Sequence, residues 1–283
     1  MNTPQSRPGD APFTERTPRV AAARQLTRRA GRERAGRFLV EGAQAVREAL
    51  VWARAGRGRV HELFVAPAGL PEDLRSLAEE AGVRVSPVTE RAAAGLSETV
   101  TPQGVVAVCD LLDVPLDTAL AGRPTLVAVL VGVSDPGNAG TVVRVADAAG
   151  ADAVVLAGNT VDPHNGKCVR ASTGSLFHLP VARCADVSAV FAACRAAGLE
   201  LVAADGYADA DLASATPGGP TAWVFGSEAH GLPDELLARV DLALRVPIYG
   251  AAESLNLATA AAVCLYATAW RQRAGIATAP FHD

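Results

Sequence analysis

The chain of 283 residues is 49% hydrophobic and 20% charged, which is enough for two domains, or one large domain, with a full core. No apolar stretch has the length of a transmembrane helix, and the arginine-containing N-terminus lacks the apolar segment of a secretory signal, so we expect a cytoplasmic protein with no membrane partner. The five cysteines form no C-x-x-C pair and no zinc-ligand spacing, which predicts reduced core thiols and no metal site.

The net charge of −4 is unevenly distributed along the chain. Residues 1–37 hold nine arginines and three acidic residues, a local charge of +6, so the remainder carries −10. A basic arm on an acidic body is consistent with RNA binding, and we expect Arg28 and Arg29 to contact RNA. A solvated tail is the alternative interpretation of this composition. Residues 1–19, which are rich in proline, glycine and charge, are expected to be disordered.

Helical and strand-like patterns alternate between residues 20 and 112. The predicted elements are a basic helix at 20–30, strands at 38–42, 60–65, 83–85 and 105–111, and helices at 43–54, 71–81 and 90–96. This alternation predicts a small α/β sandwich, and no catalytic constellation is present in it. Residues 113–124, with two prolines, a glycine and several charges, are expected to be a linker.

A second domain is predicted for residues 125–275, with a tail at 276–283. It begins with an apolar strand at 125–133, followed by the segment SDPGNAGTVVR at 134–144. We expect Asn138 to cap a helix over 139–149. Arg144 lies inside this helix, toward the positive end of the helix dipole, where a cation gains nothing from the dipole. It could share a bound anion with the free N–H groups of the helix start, or be a solvated surface arginine.

The remaining pattern ends in two strands that each lead into a polar loop. The predicted elements are strands at 153–157, 199–204, 221–225 and 242–246, and a helix at 187–197. The loop G-S-E-A-H-G follows the strand at 221–225, and a second loop starts at Pro247 and ends where Ser254 is expected to cap a long apolar helix. Ligands of open α/β sheets bind at such strand ends, although ordinary strand-to-helix turns would show the same pattern.

These polar segments resemble, in order and separation, the motifs of the SpoU/TrmH family. N-x-G-x-x-x-R at 138–144 resembles the first motif, and G-S-E-A-H-G-L at 226–232 and V-P-I-Y-G-A-A-E-S-L-N-L at 246–257 resemble the last two. Members of this family are RNA 2′-O-ribose methyltransferases of the SPOUT superfamily. The resemblance implies an α/β fold with a trefoil knot, in which the final helix threads a loop; pattern reasoning alone would not propose a knot.

The N-terminal part also resembles a known module. F-L-V-E-G at 38–42 and P-Q-G-V-V-A-V at 102–108 resemble the L30e-like substrate-binding domain found before many SpoU catalytic domains. This implies RNA docking, with a plain accessory domain as the alternative. The segment K-C-V-R-A-S-T-G-S at 167–175 resembles the family's R-x-S-x-G segment, which implies that Arg170 is a second phosphate contact.

The resemblance implies the residues of the site as well. The implied catalytic positions are Asn138, Arg144, Glu228, Ser254 and Asn256. S-adenosylmethionine would lie against Gly226, Val246, Ile248, Ser254 and Leu255. Asn138 and Asn256 would hold the loops and the ribose, and Glu228 would neutralise and orient Arg144. Gly226 would permit close approach of the cofactor. Arg144 would grip the target phosphate and stabilise the developing alkoxide, since a guanidinium does not readily give up its proton.

The function that the resemblance implies is methyl transfer from S-adenosylmethionine to a ribose 2′-hydroxyl, with 23S ribosomal RNA as the favoured substrate. It also implies a homodimer. The final helix, with Leu257, Val263, Leu265 and Tyr266, would form part of the interface, although an intramolecular core explains this apolar helix equally well. The alternatives are a tRNA methyltransferase, a base-methylating SPOUT enzyme, and a non-catalytic RNA-binding ribosome-assembly factor. A nucleotide-dependent oxidoreductase is disfavoured because no G-x-G-x-x-G fingerprint is present.

Overall fold

The computed structural model describes residues 11–99 and 101–274, which divide into two compact units. The first unit contains the described residues up to Leu111 together with His164–Phe177, and the second contains Leu112–Pro163 and the described residues from His178 onward. The sequence prediction differs, since it placed residues 164–177 in the second domain. The tail predicted at 276–283 lies outside the described residues. Within the described ranges, no helix combines the length and the apolar composition needed to span a bilayer.

The helices and strands are numbered along the chain. Up to residue 111 they are α1 (Pro18–Gln25), α2 (Arg29–Ala35), β1 (Arg37–Glu41), α3 (Ala43–Arg54), β2 (Val60–Val65), α4 (Glu72–Glu80), β3 (Arg84–Pro87), α5 (Glu90–Ala94) and β4 (Val105–Asp110). Beyond it they are β5 (Asp113–Val114), α6 (Leu116–Ala119), β6 (Leu126–Val131), α7 (Pro136–Ala149), β7 (Ala153–Ala157), α8 (Gly166–Ser172), β8 (Val181–Cys184), α9 (Val187–Ala196), β9 (Glu200–Ala204), α10 (Leu212–Ala215), β10 (Thr221–Phe225), α11 (Asp234–Leu237), β11 (Leu242–Leu244) and α12 (Leu257–Ala274).

The first unit is built on a four-stranded mixed sheet in the order β1-β4-β2-β3. β4 runs antiparallel to both β1 and β2, while β3 is parallel to β2. The apolar residues of β4 are buried, as its central position requires. α3 packs against the sheet through Val46, Ala49 and Leu50, which its sequence places on one helical face. The α/β class predicted for this part of the chain is confirmed.

The part of the basic arm that the structure describes, from residue 11 onward, is ordered. The Phe13 N–H donates to the Pro87 carbonyl at 2.8 Å, and the Thr89 N–H donates to the Phe13 carbonyl at 2.9 Å. The prediction of a disordered tail is therefore wrong for residues 11–19, and residues 1–10 lie outside the described ranges. The single helix predicted at 20–30 is instead two helices, α1 and α2.

The segment His164–Phe177 contributes aromatic packing to the first unit. The Phe177 ring stacks on Phe38 with 6.2 Å between centroids and lies 5.6 Å from Trp52. The His164 ring lies 4.6 Å from Phe38. α8, which belongs to this segment, packs against β1. Such packing links residues far apart in sequence and leaves no periodic pattern, which explains the difference from the predicted domain boundary.

The second unit is built on a seven-stranded sheet in the order β11-β9-β10-β6-β7-β8-β5. All neighbouring strands are parallel. The central strands β6, β7 and β10 are buried along their whole length, as expected for a parallel sheet covered on both faces. α7 and α12 pack against each other, and the buried Trp223 of β10 donates its Nε1–H to Thr268 Oγ1 of α12 at 2.9 Å.

The predicted linker at 113–124 belongs to the second unit rather than lying between domains. β5 pairs in parallel with β8, and α6 follows it. Arg183 on β8 donates to both carboxylate oxygens of Asp113, at 3.0 and 2.8 Å. A two-residue strand that depends on a partner about 70 residues away cannot be recognised from local pattern.

None of the five cysteines forms a disulfide bond; Cys184 is partly accessible and the other four are buried. Burial raises the pKa of the Cys194 thiol to about 11, although the nearby Arg195 acts in the opposite direction. In the part of the chain that the structure describes, no three His, Cys, Asp or Glu side chains are grouped as metal ligands would be.

The order of the second sheet places two loops side by side. From β6 the chain continues to β7 and β8 on one side, and then crosses to β9 and β10 on the other. β6 and β10 are paired neighbours, so the loops that follow their carboxyl ends start at the same edge. This switch in strand order is where open α/β sheets bind ligands. The knotted threading implied by the resemblance stays a prediction.

Candidate active site

A chain of side-chain hydrogen bonds joins the three segments singled out in the sequence. Asn138 Nδ2 donates to Glu228 Oε1 at 3.0 Å, and Asn256 Nδ2 donates to Asn138 Oδ1 at 3.0 Å. Asn138 lies in the first turn of α7, Glu228 in the loop after β10, and Asn256 directly before α12. The structure therefore brings together three of the predicted catalytic residues, which are 90 and 118 positions apart along the chain.

Each amide in this hydrogen-bond chain has one orientation that satisfies its neighbours. Asn256 Oδ1 accepts from the backbone N–H groups of Ala258 and Thr259 at 2.9 and 3.3 Å, which leaves its Nδ2 as the donor. Asn138 must then present Oδ1 to Asn256, so its Nδ2 faces the Glu228 carboxylate, which can only accept. The start of α12 at one end and the Glu228 carboxylate at the other thus fix the donor-to-acceptor direction of all these hydrogen bonds.

The helix caps differ from those predicted. Asp135, rather than Asn138, caps α7, because its Oδ1 accepts from the Asn138 N–H at 2.9 Å and Pro136 occupies the first turn. Asn256, rather than Ser254, caps α12 through its bonds to the first helical N–H groups. Asp, Asn and Ser are all good caps, so composition could not choose between candidates two or three positions apart. Ser254 is exposed and makes no hydrogen bond to any described residue.

Glu228 is held by the loop that follows β6. Its Oε2 accepts from the N–H and the hydroxyl of Ser134 at 3.2 and 3.3 Å, and its Oε1 accepts from the Asp135 N–H at 3.1 Å. Partial desolvation acts to raise the pKa of Glu228, but the bonds from the Asn138 amide and from these backbone groups outweigh it and hold the pKa below its usual range. A carboxylate with a lowered pKa is a weak base, so Glu228 is a poor proton acceptor at neutral pH.

The sequence prediction paired Glu228 with Arg144, whereas the hydrogen bonds of Glu228 described above all go to residues 134–138. Arg144 is exposed in the third turn of α7, because that helix begins at Pro136 rather than at residue 139. It therefore lies further from the free N–H groups of the helix start than predicted. Gly140, one turn before Arg144 on the same helix, is buried. Contact of Arg144 with a phosphate stays a prediction.

The backbone of the loop after β10 requires a glycine at position 226. The loop after β10 closes on itself through paired backbone bonds between Ser227 and Gly231, at 3.0 and 2.9 Å. A Cβ atom at Gly226 would lie 2.1 Å from the Gly231 carbonyl carbon and 2.4 Å from the Leu232 nitrogen. This glycine therefore permits the close approach of its own loop, and the approach of a cofactor stays a prediction.

Residues 246–255 form a loop that is fixed at its start and open along its length. Arg245 anchors the start, since its Nη1 donates to the carbonyls of Ala208 and Asp209 at 2.7 and 2.9 Å. Every residue from Ile248 to Asn256 is exposed. Among the described residues, none makes a hydrogen bond to the backbone of 246–255. The loop therefore presents a row of unsatisfied backbone donors and acceptors beside Asn256.

The other arginines predicted to bind RNA lie in the first unit. Arg170 on α8 lies 3.4 Å from the carboxylate of Glu41, whose side chain is only 6% exposed. Arg29 forms an ion pair with Glu33 at 2.8 Å on the surface of α2, and Arg28 is exposed at the start of that helix. Arg170 thus neutralises a buried acid, and RNA contact by these three arginines stays a prediction.

Sequence reasoning missed Ser134, Asp135 and Arg245 as residues that shape the site. Asp135 carried a usable signal, because an Asp directly before a Pro at the start of a helical pattern is a cap-and-first-turn arrangement. Arg245 carried none, since its partners are backbone carbonyls 36 and 37 residues away.

Comparison with known proteins identifies relatives of both units. Residues 125–266 match the SpoU rRNA Methylase family, and residues 17–107 match the MRM3-like substrate binding domain. The 23S rRNA (guanosine(2553)-2′-O)-methyltransferase RlmP of Bacillus subtilis is 38% identical over 236 residues, which cover 83% of this chain and 89% of that protein. A 23S rRNA (uridine(2479)-2′-O)-methyltransferase of Streptomyces viridochromogenes is 34% identical over 298 residues, covering 92% and 95%. The crystal structure of an AdoMet-bound rRNA methyltransferase from Sinorhizobium meliloti matches with a TM-score of 0.79 at 31% identity, covering 94% and 98%.

Proposed function

The chain belongs to the SpoU rRNA methylase family, and we propose that it transfers the methyl group of S-adenosylmethionine to a ribose 2′-hydroxyl of 23S ribosomal RNA. The two relatives described above methylate 23S rRNA, one at a guanosine and one at a uridine. The reaction and the substrate class are therefore common to them, while the nucleotide is not. A ribosomal substrate also accounts for the cytoplasmic location expected from the sequence.

The observation that carries the proposal is the hydrogen-bond chain from Glu228 through Asn138 to Asn256. It fastens the loop after β6, the loop after β10 and the start of α12 into one arrangement at the switch point of the sheet. A protein that only bound RNA would have no need to hold these three segments in register. This series of hydrogen bonds thus favours an enzyme over a non-catalytic assembly factor.

The loops beside this chain suit S-adenosylmethionine, which supplies a methyl carbon made electrophilic by the adjacent sulfonium. The open backbone of residues 246–255 can hydrogen-bond the polar edge of an adenine ring. Ile248 and Leu255, which are 38% and 37% exposed, offer apolar side chains to its faces. Val246, Ser254 and the Gly226 turn complete the predicted cofactor contacts.

Two tasks remain for the protein once methyl donor and RNA are bound, namely alignment and charge stabilisation. We assign alignment of the loops to Asn138 and Asn256, and we assign to Ser254, which is exposed next to them, a contact with the substrate ribose. Arg144 grips the phosphate of the target nucleotide and stabilises the developing alkoxide, because its permanent charge and planar donors suit both tasks. Glu228 positions Asn138, and because its pKa is lowered the hydroxyl proton passes to a water rather than to this carboxylate.

The decisive experiment measures transfer of labelled methyl groups from S-adenosylmethionine into separate fractions of 23S rRNA, 16S rRNA and tRNA. Nuclease digestion then separates ribose-methylated from base-methylated nucleosides. We expect label in a 2′-O-methyl nucleoside from 23S rRNA. Label in tRNA would establish the tRNA alternative, and label in a base would establish a base-methylating enzyme. S-adenosylmethionine binding without label in any fraction would contradict the proposed substrate, and no binding at all would favour the assembly factor.

We also propose that the enzyme is a homodimer, with α12 in its interface. Val263 and Trp270 are 40% and 67% exposed, and Tyr266 lies between them on the same helical face, with its ring 5.5 Å from that of Trp270. A stripe of this kind on the surface of a helix is typical of an association site. Leu265, which was expected to contribute, is instead fully buried within the second unit.

A further inference from the structure

The first unit contains a polar cavity of about 330 Å³, whose lining includes none of the residues assigned to methyl transfer. It is formed by the end of α1, the turn between α1 and α2, and the residues around the end of α5. Its lining residues are Arg24, Gln25, Thr27, Arg28, Ala94, Gly95, Ser97 and Glu98. This volume is at the lower end of the range for small-molecule sites, about 300–1,000 Å³, which suits one nucleotide and not a duplex.

The walls of the cavity are fixed by buried polar contacts. Arg32 is only 3% exposed, and its Nη1 donates to the carbonyls of Leu26 and Thr27 at 3.0 and 3.1 Å. On the opposite wall, the Ser97 hydroxyl donates to the buried Glu41 carboxylate at 2.7 Å. A cavity held in this way keeps its shape without a ligand, which lowers the entropic cost of binding.

The charged groups at the cavity differ from two neighbouring arginines of the same arm. Arg19 is paired with Glu62 and Arg29 with Glu33, each at 2.8 Å. Within residues 11–99 and 101–274, the side chains of Arg24, Arg28 and Glu98 make no ion pair or hydrogen bond. Two arginines and one glutamate therefore line the same space without such a partner in that part of the chain.

This combination of groups selects the chemistry of the ligand. Guanidinium groups bind phosphate oxygens and stack on the faces of bases. A carboxylate repels phosphate but accepts hydrogen bonds from the N–H groups of a base edge. A ligand that satisfies all three groups must carry both an anionic group and N–H donors, as a nucleotide does. Sequence-specific recognition of RNA relies on unpaired bases that are read in this manner.

We propose that this cavity binds one unpaired nucleotide of the RNA substrate, other than the nucleotide that is methylated. Arg24 and Arg28 hold its phosphate and the face of its base, and Glu98 accepts from the N–H groups of its base edge. The cavity thereby selects the RNA, while the second unit carries out the reaction. This inference rests on the proposed function, in that the ligand is part of the methylated RNA.

Three variants of the full-length protein test the cavity, each by a different physical route. Arg28→Gln removes a phosphate contact, and Glu98→Gln removes the acceptor for the base edge. Gly95→Leu fills the space: a Cβ at Gly95 makes only ordinary contacts, the nearest at 3.4 Å, and lies 3.7 Å from Cδ of Arg24. Arg75→Gln and Glu79→Gln, which change exposed charges on α4 of the same unit, are the matched controls.

We expect each cavity variant to raise the KM for 23S rRNA about tenfold, the cost of one hydrogen bond to a charged group, with kcat within twofold. The dissociation constant for S-adenosylmethionine and the thermal midpoint should not change. Arg28→Gln should also reduce the slope of log affinity against log salt by about one. Glu98→Gln should leave that slope unchanged. It should weaken the binding of 23S rRNA but not the binding of unrelated RNA.

The inference is overturned if the cavity variants bind and methylate 23S rRNA as the wild type does, or are affected no more than the α4 controls. It is also overturned if Glu98→Gln weakens the binding of all RNAs equally, since the carboxylate would then not recognise a base. Direct RNA-binding measurements separate this result from failure of the proposed function. If the wild type methylates no RNA, the proposed function is refuted. The RNA affinities of the cavity variants still show whether the cavity binds RNA.

Discussion

At the scale of single residues, the site depends on the direction in which hydrogen bonds run as much as on their presence. Asn256 serves two purposes through different atoms, because Oδ1 caps α12 and Nδ2 donates to Asn138. Aspartate would keep the cap and lose the donor. If the Asn138 amide flipped to compensate, it would turn its oxygen toward the Glu228 carboxylate. One hydrogen bond of the series is therefore lost in either orientation of the amide.

We therefore expect Asn256→Asp and Asn256→Ala to fail in different ways. The Asp variant should unfold near the wild-type temperature but lose at least about tenfold in kcat/KM, because a hydrogen bond in the network is lost. The Ala variant should lose activity and also about 1 kcal/mol of stability with its cap. Thermal unfolding and methylation kinetics check both. Wild-type kinetics for Asn256→Asp would show that the link to Asn138 is unimportant.

Arg144 offers a test of the catalytic assignment. We expect Arg144→Ala to abolish methylation while binding S-adenosylmethionine nearly as well as the wild type, because its partner is RNA. Arg144→Lys should recover only part of the rate, since an ammonium keeps the charge but loses the planar donors. Cofactor affinity by calorimetry and single-turnover methylation separate the two effects. A near wild-type rate for Arg144→Ala would refute the assignment.

The lowered pKa of Glu228 gives a pH dependence with a definite sign. A carboxyl whose folded pKa lies below its unfolded value of about 4.5 stabilises the fold fully above pH 4.5, and this contribution is lost as pH falls through the folded pKa. The stability difference between wild type and Glu228→Gln should therefore be constant from about pH 5 to 8 and shrink below pH 4.5. Urea unfolding across this range measures it, and a difference that grows in acid would contradict the pKa assignment.

At the scale of elements, the loop after β10 is a compact unit whose shape depends on Gly226. A methyl group there would meet backbone atoms of Gly231 and Leu232, which cannot move aside as a flexible side chain could. The loop must then open, and Glu228 would leave the position in which it accepts from residues 134–138. Local strain at Gly226 would thus reach the loop at residues 246–255 through Asn138 and Asn256.

We expect Gly226→Ala to destabilise the protein by about 1–3 kcal/mol and to weaken S-adenosylmethionine binding at least tenfold, as overpacking against backbone does. Gly219→Ala is the matched control, because a Cβ at Gly219 meets nothing within 4 Å and the residue precedes the same strand. Thermal unfolding and cofactor titration measure both changes. Equal behaviour of the two variants would contradict the role given to the loop.

Elements defined by long apolar patterns could be predicted from the sequence, and those defined by distant partners could not. The bounds of α3, β2, β7 and β10 agree with prediction to the residue, since each is an amphipathic or wholly buried run between turn signals. β5 and α8 were missed because they are short and owe their form to tertiary contacts. At the site, the identity of the polar residues was readable, but their partners were not, because hydrogen bonds across about 100 residues leave no local trace.

At the scale of the whole molecule, the α12 stripe predicts how many copies associate. Light scattering should show a dimer for the wild type and a monomer for Trp270→Glu, because a charge in an apolar interface loses its hydration. Tyr207→Glu is the control, since that aromatic side chain is 97% exposed elsewhere in the second unit. A monomeric wild type, or a dimer that survives Trp270→Glu, would contradict an interface on α12.

The return of His164–Phe177 to the first unit has a consequence for how the protein is made. A ribosome synthesises the chain from its N-terminus, so Phe38 and Trp52 emerge more than 100 residues before Phe177 covers them. Until then the nascent first unit displays part of its aromatic core, a surface on which chaperones and aggregating chains act. A fragment cut at residue 112, where the sequence alone suggests a domain end, would keep that face open permanently. The smallest piece of this protein that can fold without exposing it extends at least to Phe177, well into the sequence of the methyltransferase domain.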